Sequence, residues 1–224
     1  MLTVTPSWRT AYPGAVVGIL AMHDVANPEH HPELENQKAI LEDQLRDRYS
    51  NLDRDSLEAL PEVQAYQTYY QSFKKTYHLL LQLESVVFKH KPIPRVAALV
   101  EALFMAELQD LLLTAGHDLE TVQLPIMLDV AKGNERYILL RGEEQILKPH
   151  DMFIADALGV ISSVIYGPDL RTRISPGTRS VFFTTYAPAG IGEEAVQNHL
   201  QNTRRNILSI SPNAGTESLT LYRA

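Results

Sequence analysis

His117 directly follows Ala115-Gly116 at the end of a long apolar run, and it is the first residue whose type and setting could do chemistry. Two readings stand side by side. A glycine after a helix supplies the left-handed turn that satisfies the last carbonyls, and a histidine there is well placed by the helix dipole. Alternatively, the imidazole stands at the mouth of a site. The densest other cluster is "VISSVIYGPDLRTRISPGT", residues 160–178. Its small hydroxyls Ser162 and Ser163 run into the turn sequence Tyr166-Gly167-Pro168-Asp169, and then into Arg171 and Arg173. Gly167 permits close backbone approach, Asp169 offers an acceptor, and the arginines could hold phosphate or carboxylate. A hairpin with a charged tip accounts for the same residues. Gly142, Glu143 and Glu144 in "LLRGEEQIL" mark another turn with the same two readings. His23, His30 and His31, beside Asp24 and Glu29, have the donor types of a metal site, yet adjacent histidines seldom converge on one ion. No metal and no cofactor are expected.

Several chemistries are excluded. None of the 224 residues is cysteine, which removes disulfides, thiolate zinc sites and a cysteine nucleophile together and suits a cytoplasmic protein. There is no phosphate-binding G-x-x-x-x-G-K-[ST], no G-x-G-x-x-G after a strand, no H-E-x-x-H and no G-x-S-x-G. The N-terminus "MLTVTPSWRT" has no secretory pattern and no apolar run is long enough to span a bilayer, so a soluble, intracellular chain without a membrane partner is expected. A net charge of −7 argues against non-specific coating of nucleic acid, and no DNA partner is expected. Local basic clusters remain: Lys74-Lys75, the stretch with Lys89, Lys91 and Arg95, Arg171 with Arg173, and Arg204-Arg205.

The elements that must position these groups follow from patterning. Residues 15–22, "AVVGILAM", read as a buried strand. Residues 32–49 read as an amphipathic helix opened by proline, and residues 61–73 as a shorter one. Residues 77–89 are nearly continuously apolar and are assigned to helix. Residues 95–116 give the strongest helical pattern, closed by Gly116. Beyond Asp118 short β-rich runs alternate with turns, followed by a late helix over 192–208 and a closing strand over 218–223. Helices first and strands after predict an α+β fold, a helical N-terminal half packed on a mostly antiparallel β-sheet system.

The order "PIPRVAALVEALFMAEL", "AGHDL", "YILLRGEEQILKPHDMFIAD", "GVISSVIYGPDLRTRISPGTRSVFFTTYAP" resembles the B3/B4 module of the phenylalanyl-tRNA synthetase beta subunit, and more closely the free-standing proteins built on it. The core of the resemblance covers residues 73–190, within a single domain over 1–224 to which 1–72 and 191–224 are packed. "SWRTAYPGAVVGILAMHDVANPEHHPELE" is similar to the start of the free-standing forms. The module carries the synthetase's editing site, which hydrolyses tyrosine wrongly esterified to the phenylalanine tRNA. The resemblance puts His117 at the histidine of the family's "LHAFD" element, Gly142 and Glu144 in its "LDGKER" turn, and Gly167 and Asp169 in its "GVMGG" loop. It implies that His117 orients water or the ester, that Glu144 and Asp169 line the amino-acid pocket, and that Arg171 and Arg173 approach the tRNA acceptor end. "GPDLRTR" departs from the family by replacing a second glycine and a glutamate. No aminoacylation motif is present, so the chain is not a synthetase by itself. Hydrolysis of misacylated aminoacyl-tRNA in trans is the expected activity. A non-catalytic module binding tRNA or a free amino acid is the alternative, and a metabolic small-molecule enzyme is a third.

Overall fold

A computed structural model describes residues 2–224. The chain begins with a strand, β1 (Leu2–Val4), and a short helix, α1 (Pro6–Ala11), whose N-terminus is capped by the Thr5 hydroxyl accepting from Trp8 N. Next comes β2 (Val16–His23), matching the run of apolar residues seen in sequence. Five helices follow: α2 (Pro32–Tyr49), α3 (Arg54–Glu58), α4 (Pro61–Ser72), α5 (His78–Val87) and α6 (Ala98–Asp110). The strand-rich part holds β3 (Thr114–Asp118), β4 (Ile126–Val130), the hairpin pair β5 (Arg136–Ile138) and β6 (Glu144–Ile146), β7 (Met152–Asp156), β8 (Gly159–Ser163), β9 (Gly167–Pro168) and β10 (Ser180–Ala187). The chain closes with α7 (Glu193–Ile210) and β11 (Gly215–Arg223).

The fold is α+β, with two main sheets. One has the order β11-β2-β10-β3 and is antiparallel throughout. The other has the order β1-β4-β7-β8-β9 and is antiparallel except for β1 beside β4. One face of the first sheet carries helices: α7 lies on β2, and Asn206 Nδ2 donates to Ala102 O, joining α7 to α6. Its other face meets the second sheet, where Tyr186 of β10 bonds Ser162 of β8 at 2.6 Å. Among the described residues, no helix is long and apolar enough to cross a membrane.

Helix α2 is held by a buried ion pair. Lys38 Nζ lies 2.5 Å from Glu101 Oε2 of α6 and 2.8 Å from Glu35, and Glu101 Oε1 accepts the Val96 N–H. A buried charge is tolerated only when so paired.

The long helix expected over 95–116 is shorter than its composition suggests. It ends at Asp110, and Leu111, not Gly116, takes the left-handed turn at φ 58°, with its N–H on Glu107 O. The reason is tertiary. Thr114 to Asp118 pair with β10 from Thr185 to Val181, and ladder bonds there outweigh helix propensity. Gly116 is therefore a strand residue, set where a Cβ would come within 2.9 Å of Ile174 Cδ1 and 3.0 Å of Phe183 Cε1.

Gly18 shows the same constraint under α7. A Cβ there would lie 2.6 Å from Val196 Cγ1 and 3.0 Å from Leu200 Cδ1. Gly18→Ala is expected to lower stability by about 1–3 kcal/mol through overpacking. Urea unfolding measures it, and an unchanged midpoint would contradict the close approach of α7 to β2.

Candidate functional site

A cleft of about 710 Å³ opens beside β3, the last strand of its sheet. One wall is α6, through Val100, Leu103, Phe104 and Glu107. The opposite wall is Ser163 to Pro168, leading from β8 into β9, and Ile174, Arg173 and Leu140 close the side. The walls are mostly apolar, as in most small-molecule sites, with a few polar groups in fixed places.

Glu107 is the most unusual of these groups. It sits on an otherwise apolar helix face and is only 5 % exposed. Its Oε1 accepts the Thr114 N–H at 2.8 Å, and among the described residues its other oxygen has no hydrogen-bond partner. Burial pushes its carboxyl up to about 8, against the opposing pull of the Thr114 N–H. His78 also lines the cleft, with burial lowering its pKa. At the rim, Lys75 Nζ lies 5.6 Å above the ring of Tyr166, and Arg173 faces the opening while donating to Leu170 O.

His117 is elsewhere. It points from β3 into the space between the two sheets, fully buried, and does not line the cleft. The hydrogen-bond pattern defines its tautomer. Thr172 Oγ1 donates to Asp169, so it accepts from His117 Nδ1–H at 2.7 Å. Nε2 is left as the acceptor of the Ser162 hydroxyl at 3.3 Å, and Ser162 in turn accepts from Tyr186. Burial, aided by the charge of Arg171, drives the His117 pKa down to about 3, so the imidazole is neutral. The expected place at the mouth of a site is corrected: both ring nitrogens are engaged inside the protein, and no water or ester can reach them.

The other expected residues divide. Ser163, Gly167 and Arg173 line the cleft. Ser162 is sealed between His117 and Tyr186. Asp169 does not line the pocket; it is buried and accepts from both Thr172 N and Thr172 Oγ1, with burial as the main influence raising its pKa. Arg171 does not reach out to a ligand. It grips Asp156 with two bonds of 2.8 and 2.9 Å and donates to Thr121 O. Burial would raise the Asp156 pKa, but Arg171 and two backbone N–H donors outweigh it and hold the carboxylate below its usual range. Glu144 is exposed on the β5–β6 hairpin, 3.5 Å from Arg136, and Gly142 forms the turn of that hairpin at φ 86°. Neither lines the cleft, although Leu140 of the same hairpin turn does. Among the described residues, no three histidine or acidic groups converge as a metal site would require. His23 instead pairs with Asp24 at 2.8 Å.

No protein-family model matches the sequence, and no curated protein matches it. Among solved structures, the chain is similar to an N-terminal fragment of the phenylalanyl-tRNA synthetase beta subunit from Pyrococcus horikoshii. Identity is 14 %, the TM-score is 0.49, and the match covers 100 % of this chain and 54 % of the other. The chain thus spans about half the length of that fragment. A likeness at this score assigns no role to any residue.

The neutral, buried state of His117 has a measurable consequence. Below pH 6.5 the unfolded chain binds a proton at this histidine that the folded chain refuses until about pH 3. Stability is therefore lost as pH falls through that window, by up to about 1.4 kcal/mol per pH unit. Glu107 and Asp151, whose carboxyls burial raises to about 8 and about 7, act in the opposite sense, losing stability as pH rises from the ordinary carboxylate range. The difference between wild type and His117→Gln isolates the histidine. Between pH 6.5 and 4 the variant's stability, followed by chemical denaturation, should fall less steeply; parallel curves would refute the depressed pKa.

Proposed function

We propose that this chain binds the aminoacylated acceptor end of a tRNA, places the amino-acid side chain in the cleft beside β3, and hydrolyses the ester in trans. The observation that carries this reading is the cleft itself: a largely apolar chamber, large enough for an amino acid, walled in part by Ser163, Gly167 and Arg173, residues of the stretch that resembles the editing module. Arg173 and Lys75 at or near its opening supply local positive charge in a chain of net charge −7.

Hydrolysis in such a site needs a water oriented on the ester carbon and donors for the tetrahedral oxyanion. Water oxygen bonds to the carbonyl carbon, the bond to the ribose oxygen breaks, and that oxygen takes a proton. Backbone N–H groups of the cleft and a neighbouring ribose hydroxyl can supply orientation without a covalent intermediate. His117 takes no part. Its withdrawal into the core also favours the second reading, a non-catalytic module that holds the aminoacylated end or a free amino acid.

A deacylation assay over a panel of mischarged tRNAs decides between them. Ester loss above buffer is expected for at least one tRNA, and filling the cleft by Val100→Trp should slow it on the order of tenfold or more. His117→Gln should retain the activity at neutral pH. Absence of ester loss for every tRNA would sink hydrolysis, and retained binding would then support the second reading.

Binding to tRNA should also depend on the rim charges. Lys75→Ala is expected to weaken binding for all tRNA sequences alike and to reduce the slope of log K against log salt by roughly 0.7–0.9. An unchanged slope would remove Lys75 from the interface.

A further inference from the structure

The cleft has a free strand edge along one side. Thr114 N donates to Glu107 and Asp118 N to Thr172 O, both away from β10. In an antiparallel strand alternate residues turn their N–H and C=O to the same side. Gly116, midway between them, therefore directs its N–H and C=O outward as well, along the edge that faces the cleft it lines. No strand covers this edge, because β3 ends the sheet. Two residues along the same edge, at Thr114, stands Glu107, nine-tenths buried and lining the same cleft, with one oxygen unpartnered. A lone carboxyl in an apolar wall calls for a cation, and an adjacent free N–H calls for a carbonyl.

We propose that Glu107 and the free edge of β3 clamp the backbone of an α-amino acid: Glu107 takes the unblocked α-ammonium and the Gly116 N–H takes the neighbouring carbonyl. This rests on the reading of the cleft as an amino-acid pocket given above. It assigns specificity for a free α-amine to Glu107 and the Gly116 backbone, positions to which the family resemblance gives no role. The geometry is that of strand addition shortened to one residue, combined with capture of an amine. The side chain of the occupant then lies among Val100, Phe104 and Ile174. The clamp would hold either a free amino acid or an aminoacyl ester, since both present the same ammonium and carbonyl.

The test is calorimetric titration of the full chain with L-phenylalaninamide, N-acetyl-L-phenylalaninamide and L-phenylalanine. The amide should bind, and acetylation of its amine should weaken binding tenfold or more. Glu107→Gln keeps an acceptor for the Thr114 N–H and so should fold with an unchanged melting temperature. It should weaken binding of the amide about tenfold and leave the acetylated compound unaffected. In NMR spectra the Gly116 amide proton should shift as the amide is added. Equal binding of the free and acetylated amides, an insensitive Glu107→Gln variant, or no binding by any compound would overturn the clamp. If L-phenylalanine binds as tightly as its amide, the occupant is a free amino acid; preference for the amide marks the ester. Amine discrimination without any tRNA deacylation or binding would sink the tRNA reading and leave the clamp standing. Deacylation without amine discrimination would do the reverse.

Discussion

A neutral imidazole sealed between two β-sheets ties them together behind the cleft. His117 bonds Ser162 of one sheet and Thr172 of the loop that follows it, while belonging itself to the other sheet. The chain of bonds continues to Tyr186 at one end and Asp169 at the other. Ser162, Thr172 and the ring are each used as both donor and acceptor, which is the condition under which buried polar groups specify a single arrangement. Protonating the ring would leave Ser162 facing a donor, so neutrality and geometry are the same requirement.

Arg171 extends this fastening outward. Its two bonds to Asp156 tie the loop of residues 169–173 to the β7–β8 turn, and its bond to Thr121 O ties that loop to the segment after β3. A bidentate pair of this kind gives directional restraint as well as attraction. Arg173, two residues on, is left free to face the opening. The charged run "DLRTR" is thus divided by its partners: Asp169 and Arg171 brace, and Arg173 remains available to a ligand.

The helical layer shows a second way of handling buried charge. Lys38 and Glu101 neutralise each other between α2 and α6, with Glu35 and the Val96 N–H taking up the remaining valences. Glu107, two turns along the same helix, has only one backbone donor. The contrast separates a structural carboxylate from one held in reserve. Asp151 resembles Glu107 in part, with Oδ1 on the Tyr69 hydroxyl and Oδ2 unpartnered, but it is enclosed by tyrosines and does not open on the cleft.

Local patterning made much of the fold legible. Proline and acidic residues opened α2 where expected, and the apolar runs became β2, β7 and β10, because period and composition are properties of short windows. Sequence alone also singled out Ser163, Gly167 and Arg173. It could not tell Ser163 from Ser162 or Arg173 from Arg171, pairs of one type, nor show that Asp169 is spent on Thr172. Nor could it place the end of α6, since the pairing of Thr114 with Thr185 joins residues 71 positions apart. A single acid on an apolar helix face was the available signal for Glu107, and only packing showed which way that face turned. What the sequence determined by itself was most of the longer helices and strands, the absence of thiol chemistry and the motif order. Which polar groups are spent on holding the sheets together and which are left facing solvent was decided by the tertiary structure, because hydrogen-bond partners are allotted only when distant strands meet.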